Sequence, residues 1–234
     1  MAFDGVRERV FEANQRIVEA GLVVLTFGNA SAADRPAGVM AIKPSGVPYS
    51  VLEPESMVVV DLKSGEVREG AARPSSDTPT HLVLYRAFEE IGGIVHTHSP
   101  FATAWAQARR EIPCFGTTHA DHFHGAVPIT RELTRDQIDG DYERCTGDVI
   151  VETVTGLGLG PLERPAVLVA SHGPFAWGPD SETAVENAIA LEVVAESAFR
   201  TEALQPGAAP IQPELLDRHF LRKHGPGAYY GQRS

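Results

Sequence analysis

Gly93-Ile94-Val95-His96-Thr97-His98 is a short apolar run, and Phe101-Ala102-Thr103-Ala104-Trp105-Ala106-Gln107-Ala108 follows almost at once. The first reads as a strand over 93–98 and the second as a short helix over 101–108. Working outward, Phe3, Val6, Val10, Ala13, Ile17 and Ala20 recur at steps of three and four, so an amphipathic helix opens the chain and Gly21 stops it. Leu22 to Phe27 reads as a strand ending in a Gly28-Asn29 turn, and 39–42 and 57–61 read as further strands between Pro and Gly signals. A helix is expected over 77–88, with Ser75, Ser76 or Asp77 as its cap and Pro79 in the first turn. Ala166 to Ser171 reads as a buried strand that ends at Gly173-Pro174. After Asp180, the positions Ala184, Ala188, Leu191, Ala195 and Ala198 mark a long helix, and a Pro- and Ala-rich loop over 205–212 precedes a last helix near 213–222. Strands and helices alternate without a strict βαβ cadence, which predicts an α/β fold built as a three-layer α/β/α sandwich. The length, 234 residues, fits one domain over 1–234.

The formal charge of −11 argues against a nucleic-acid surface, which needs clustered Lys and Arg. Met1 to Val10 carries Asp4, Arg7, Glu8 and Arg9 where a signal peptide would be apolar, and no stretch approaches a membrane span. A soluble, cytoplasmic protein is expected. Cys114 and Cys145 are the only cysteines and lie too far apart for a Cys-x-x-Cys motif, which suits a reducing compartment.

His96 and His98 lie two residues apart on an apolar strand, so both imidazoles point to one face and can reach one ion. His172 closes an equivalent strand just before Gly173-Pro174, and an acid such as Asp77 could complete or modulate the set. Imidazoles suit zinc and other first-row divalent ions. A cupin-like all-β site would place a carboxylate soon after the His pair, whereas here a helical pattern follows with no acid before Glu111. Gly156-Leu157-Gly158-Leu159-Gly160 fails as a dinucleotide loop because Pro161 and Pro165 follow in place of a helix, so it reads as a surface turn.

Three turns could hold a phosphate: Gly28-Asn29-Ala30-Ser31, Lys43-Pro44-Ser45-Gly46 and Arg73-Pro74-Ser75-Ser76-Asp77. Freed backbone amides, Ser hydroxyls and a helix N-terminus can bind an anion on a protein of net negative charge, and Lys43 adds a local cation.

Together with Ser75-Ser76-Asp77-Thr78-Pro79-Thr80-His81, Thr117-Thr118-His119-Ala120-Asp121, Ser171-His172-Gly173-Pro174-Phe175, Leu221-Arg222-Lys223-His224-Gly225 and Ala228-Tyr229-Tyr230-Gly231-Gln232, these stretches resemble the L-ribulose-5-phosphate 4-epimerase family. The resemblance implies a class II aldolase fold and a homotetramer with active sites at subunit interfaces, each with one divalent ion, usually zinc. By this similarity His96, His98, His172 and Asp77 are the metal residues, and Gly28, Asn29, Ser45, Gly46, Ser75 and Ser76 contact the sugar phosphate, with Lys43 nearby. Asp121 and Tyr230 match a catalytic acid/base pair contributed across a subunit boundary, while Thr117, Glu143 and Arg222 match further interface positions of the site. The family commonly has phenols after the Ala-Asp pair; this chain has His122-Phe123-His124, which either packs an interface or tunes Asp121.

The activity so implied interconverts L-ribulose 5-phosphate and D-xylulose 5-phosphate by breaking and re-forming the bond between C3 and C4. Two rival readings share the fold: a sister aldolase of the L-fuculose 1-phosphate type, which typically has a glutamate where this chain has Asp77, and a non-enzymatic scaffold like the adducin head.

Overall fold

A computed structural model describes residues 3–229. Its elements run in the order α1 (Asp4–Glu19), β1 (Asn29–Asp34), β2 (Val39–Ile42), β3 (Val58–Asp61), β4 (Val67–Glu69), α2 (Thr78–Ala87), β5 (Gly93–His96), α3 (Pro100–Ala108), α4 (Thr117–Ala120), α5 (Arg135–Asp139), α6 (Tyr142–Gly156), β6 (Ala166–Val169), β7 (Gly173–Gly178), α7 (Ser181–Leu204) and α8 (Pro213–His224).

The strands form one antiparallel sheet in the order β4-β3-β2-β1-β5-β7-β6. Successive side chains alternate between its faces. Ala41, Val59, Val95 and Ala176 pack with Val10 and Ile17 of α1, Trp105 of α3 and Leu191 and Ala195 of α7. Met40, Ile42, Val58, Val60, Ile94, Phe175 and Trp177 pack on the other face with Leu84 and Tyr85 of α2 and Ile150 and Val154 of α6. The expected three layers are thus present, with the strands other than the exposed edge strand β4 buried between them.

Several local expectations change. Leu22 to Phe27 is not a strand: Leu25 has φ +58° and, with Val24 and Phe27, is exposed, so this apolar stretch is a loop. The strand begins instead at Asn29, where Ala30, Ser31 and Ala32 are buried. Small side chains allow it to run beneath α1, whose Asn14 exchanges two hydrogen bonds with the main chain of Ala30. The strand expected over 93–98 ends at His96, so His98 projects from the segment that leads into α3. Gly173-Pro174, read as a stop, opens β7 after the short turn that carries His172. Gly156 ends α6, and the stretch from Leu157 to Gly160 after it opens no helix, as expected for a turn.

Candidate metal centre and active site

Two neighbouring elements converge on the imidazoles. His96 ends β5, His98 follows it, and His172 sits at the turn between β6 and β7, the latter hydrogen-bonded to β5. One ligand nitrogen from each of the three can lie within 4.8 Å of the others. His96 donates from Nδ1 to the carbonyl of Pro174 at 2.9 Å, which leaves its Nε2 lone pair facing His98 Nε2 at 3.1 Å. With the His98 proton on Nδ1, two lone pairs face one another and a cation between them removes their repulsion; with it on Nε2, His98 donates to His96. Burial, with His96 alongside, lowers the pKa of His98 and takes His172 to about 4, so both rings are neutral donors near pH 7. The donor set therefore fits a divalent metal ion.

Asp77 stands beside this group, its Oδ2 4.0 Å from His96 Nε2. It occupies the N-cap position of α2 but makes no side-chain cap bond; its carboxylate turns instead toward the imidazoles and accepts from Asn29 Nδ2 at 2.7 Å. Burial pushes the Asp77 carboxyl up, but His96, His81, Asn29 and His172 together hold it below its usual value.

The three polar turns meet here. A cleft of about 400 Å³ is lined by Gly28, Asn29, Lys43, Ser45, Gly46, Ser75, Ser76, Asp77, His96, His98, Glu143 and His172. Asn29 also donates to Ser75 Oγ at 3.1 Å, and the main chain of Lys43 bonds that of Ser75 at 3.0 Å, so the turns are tied to one another. Gly28 has φ +76°, and a Cβ on it would fall 2.8 Å from the His96 carbonyl oxygen, which is why only glycine fits. Glu143 arrives on the first turn of α6, its carbonyl accepting from Thr80 Oγ1 at 2.6 Å.

Thr117, Asp121 and Arg222 do not line this cleft. Asp121 follows α4 and meets α8, where it accepts from Arg222 and from His219 Nδ1, the latter at 3.1 Å. Of the two histidines left open, His124 donates from Nε2 to Asp217 at 2.7 Å and stacks on Phe220, so it packs α8. His122 is lowered in pKa chiefly by burial, then by Lys223. Tyr230 lies outside the described residues.

The sequence profile of the Class II Aldolase and Adducin N-terminal domain matches residues 8–199. The chain belongs to the class II aldolase and adducin family. Among relatives, the L-ribulose-5-phosphate 4-epimerase UlaF of Salmonella paratyphi A (strain ATCC 9150 / SARB42) is 51% identical over 228 residues, covering 97% of this chain and 99% of that protein. The protein of the same name from Salmonella typhi matches equally. Among solved structures, an L-fuculose 1-phosphate aldolase superposes with a TM-score of 0.76 at 25% identity, covering 92% of this chain and 94% of that one. The L-fuculose 1-phosphate aldolase from Glaciozyma antarctica PI12, with a TM-score of 0.74 at 16% identity over 93% of this chain and 80% of that one, supports the fold.

Three cleft residues were missed by sequence reasoning, Thr26, Phe27 and Tyr142, and of these Tyr142 stands beside the imidazoles. Tyr142 opens α6 and places its hydroxyl 3.5 Å from His172 Nδ1. Its sequence signal was slight: a tyrosine beside Glu143, on a helix whose apolar spacing is interrupted by Gly147.

Proposed function

We propose that the protein is a metal-dependent L-ribulose-5-phosphate 4-epimerase acting between L-ribulose 5-phosphate and D-xylulose 5-phosphate. The observation that carries this reading is the joining, in one cleft, of three inward-facing imidazoles with three amide- and hydroxyl-rich turns, in a chain half identical to epimerases along almost its whole length.

His96, His98 and His172, with Asp77 beside them, would hold the ion, zinc in our reading. When bound, it supplies Lewis-acid polarisation of a ketone oxygen and offsets negative charge as the bond between C3 and C4 breaks. The hydrogen on C4 is not adjacent to the C2 carbonyl, so direct proton abstraction there would leave an unstabilised carbanion. Cleavage instead requires a base to take the C4 hydroxyl proton, and re-formation on the other face requires an acid to return one. Asp121 and Tyr230 from a neighbouring subunit are assigned those roles, each worth about 10²- to 10⁴-fold. Gly28, Asn29, Ser45, Gly46, Ser75, Ser76 and Lys43 grip the phosphate while the two-carbon aldehyde fragment turns, so losing a grip should slow turnover as well as weaken binding.

In this reading residues 1–234 form one catalytic domain of a cytoplasmic homotetramer. Asp121, Thr117 and Arg222 then serve a cleft other than that of their own chain, while Glu143 serves its own.

The test is conversion of L-ribulose 5-phosphate by the zinc-loaded protein, with chelator-treated protein as control. Metal-dependent formation of D-xylulose 5-phosphate is expected. Accumulation of free glycolaldehyde phosphate without epimer would transfer the assignment to an aldolase, and a folded protein that purifies without stoichiometric metal would point to a scaffold.

A further inference from the structure

Tyr49 lies behind the cleft wall and does not line it. It is 7% exposed, and its hydroxyl donates to the carbonyls of Phe27 at 3.0 Å and Gly28 at 2.8 Å. The Lys43 ammonium sits 4.7 Å from the centroid of the same ring. Lys43 is 2% exposed, makes one long hydrogen bond to the Pro44 carbonyl at 3.4 Å, and has no carboxylate partner among the described residues. A buried ammonium held so lightly is costly until an anion meets it, and an aromatic face is the partial substitute that keeps it charged.

We propose that Tyr49 is a positioning residue for the anionic end of the substrate: its hydroxyl fixes the Phe27-Gly28 wall and its ring aims the Lys43 ammonium, so one side chain sets two sides of the grip. Tyr49 itself is seated by Gln15 of α1, whose Nε2 donates to the Tyr49 carbonyl at 3.4 Å. Burial pushes the phenol upward, so it stays protonated as the donor to the two carbonyls. The wall it holds runs close to the main chain of His96, since a Cβ on Gly28 would fall 2.8 Å from the His96 carbonyl oxygen.

The inference rests on the cleft being a phosphate site, and a binding assay tests it without turnover. Inorganic phosphate affinity is measured by equilibrium dialysis on the zinc-loaded protein for the parent, Tyr49→Phe, Tyr49→Leu, Lys43→Met and the Tyr49→Leu/Lys43→Met double variant. Zinc content and thermal melting serve as fold controls. Tyr49→Phe should weaken phosphate binding several-fold and Tyr49→Leu by about tenfold. The double variant should lose less than the product of the two single losses, because the Tyr49 ring acts through Lys43, and its remaining loss beyond Lys43→Met should match that of Tyr49→Phe, which removes only the hydroxyl that holds the wall. Parent-like phosphate affinity in Tyr49→Phe and Tyr49→Leu would overturn the proposal. So would losses that multiply in the double variant, or a parent that retains no phosphate. Should Tyr49→Leu not fold, Tyr49→Phe decides alone. Absence of epimerase turnover in a parent that binds phosphate would remove the epimerase reading and leave the dialysis result to judge Tyr49.

Discussion

Arg222 grips both carboxylate oxygens of Asp121, with Nε 3.1 Å from Oδ1 and Nη2 2.8 Å from Oδ2. His219 Nδ1 adds a third donor to the carboxylate, at Oδ1, and His224 Nε2 donates to the Asp121 carbonyl at 2.9 Å. Burial pushes the Asp121 carboxyl up, but Arg222 and His219 outweigh it and hold the group below its usual value. Asp121 is therefore ionised well below neutral pH, the form that the proposed role as a base requires.

Replacing Arg222 with Ala should let the Asp121 pKa climb. The acid limb of kcat/KM against pH should then move to higher pH, while Asp121→Asn should lower turnover by about 10²-fold or more with zinc content unchanged. A limb that stays in place in Arg222→Ala would separate the titration of Asp121 from catalysis.

At the imidazole cluster, His96→Ala and His172→Ala should each leave the protein folded and without stoichiometric zinc after dialysis. Chelator should abolish turnover in the parent, and added zinc should restore it. Full zinc occupancy in either variant would exclude that histidine as a ligand.

Gly28→Ala combines a φ of +76° with a contact 2.8 Å from the His96 carbonyl oxygen. A stability loss of about 1–2 kcal/mol from backbone strain alone is expected, with a further loss in substrate affinity because the wall must move. Urea unfolding and KM would report the two separately, and a parent-like value of both would show that the turn is slack.

His119 offers a pH test remote from the metal residues. It is 4% exposed, its Nε2 donates to the Gly125 carbonyl at 2.8 Å, and burial lowers its pKa from 6.5 to about 4. The unfolded chain protonates this histidine first, so its contribution is fully present above about pH 6.5 and is lost as pH falls toward about 4, on the order of 3 kcal/mol. His119→Gln should flatten that part of the stability profile in urea titrations. An unchanged slope would assign the acid sensitivity to other groups.

The fold was legible where one periodicity dominates. The apolar stripe of α1 and the alanine ladder of α7 are written at helical spacing, and their residues are buried as expected: Val6, Val10 and Ile17 in the first, Ala184, Leu191 and Ala195 in the second. β1 was missed because Asn29-Ala30-Ser31-Ala32 has no β-branched residue to mark it; the strand exists because β2 and β5 pair with it on either side. The Leu22 to Phe27 run was mistaken for a strand for the opposite reason, since local apolarity cannot show that the tertiary packing leaves Val24, Leu25 and Phe27 outside.

By itself the sequence determined the chemistry available: three histidines at strand ends, an acid at a helix start, and turns rich in glycine, serine and one lysine. Only the tertiary structure decided how these meet. His96 finds the carbonyl of Pro174 because β7 lies against β5, a contact spanning 78 residues of chain. Asp77 forgoes its cap and Tyr49 joins Lys43 to Gly28 for a similar reason. Periodicity is local and can be read along the chain, whereas the partner of a buried polar group is chosen by whichever distant element the sheet brings within hydrogen-bond distance.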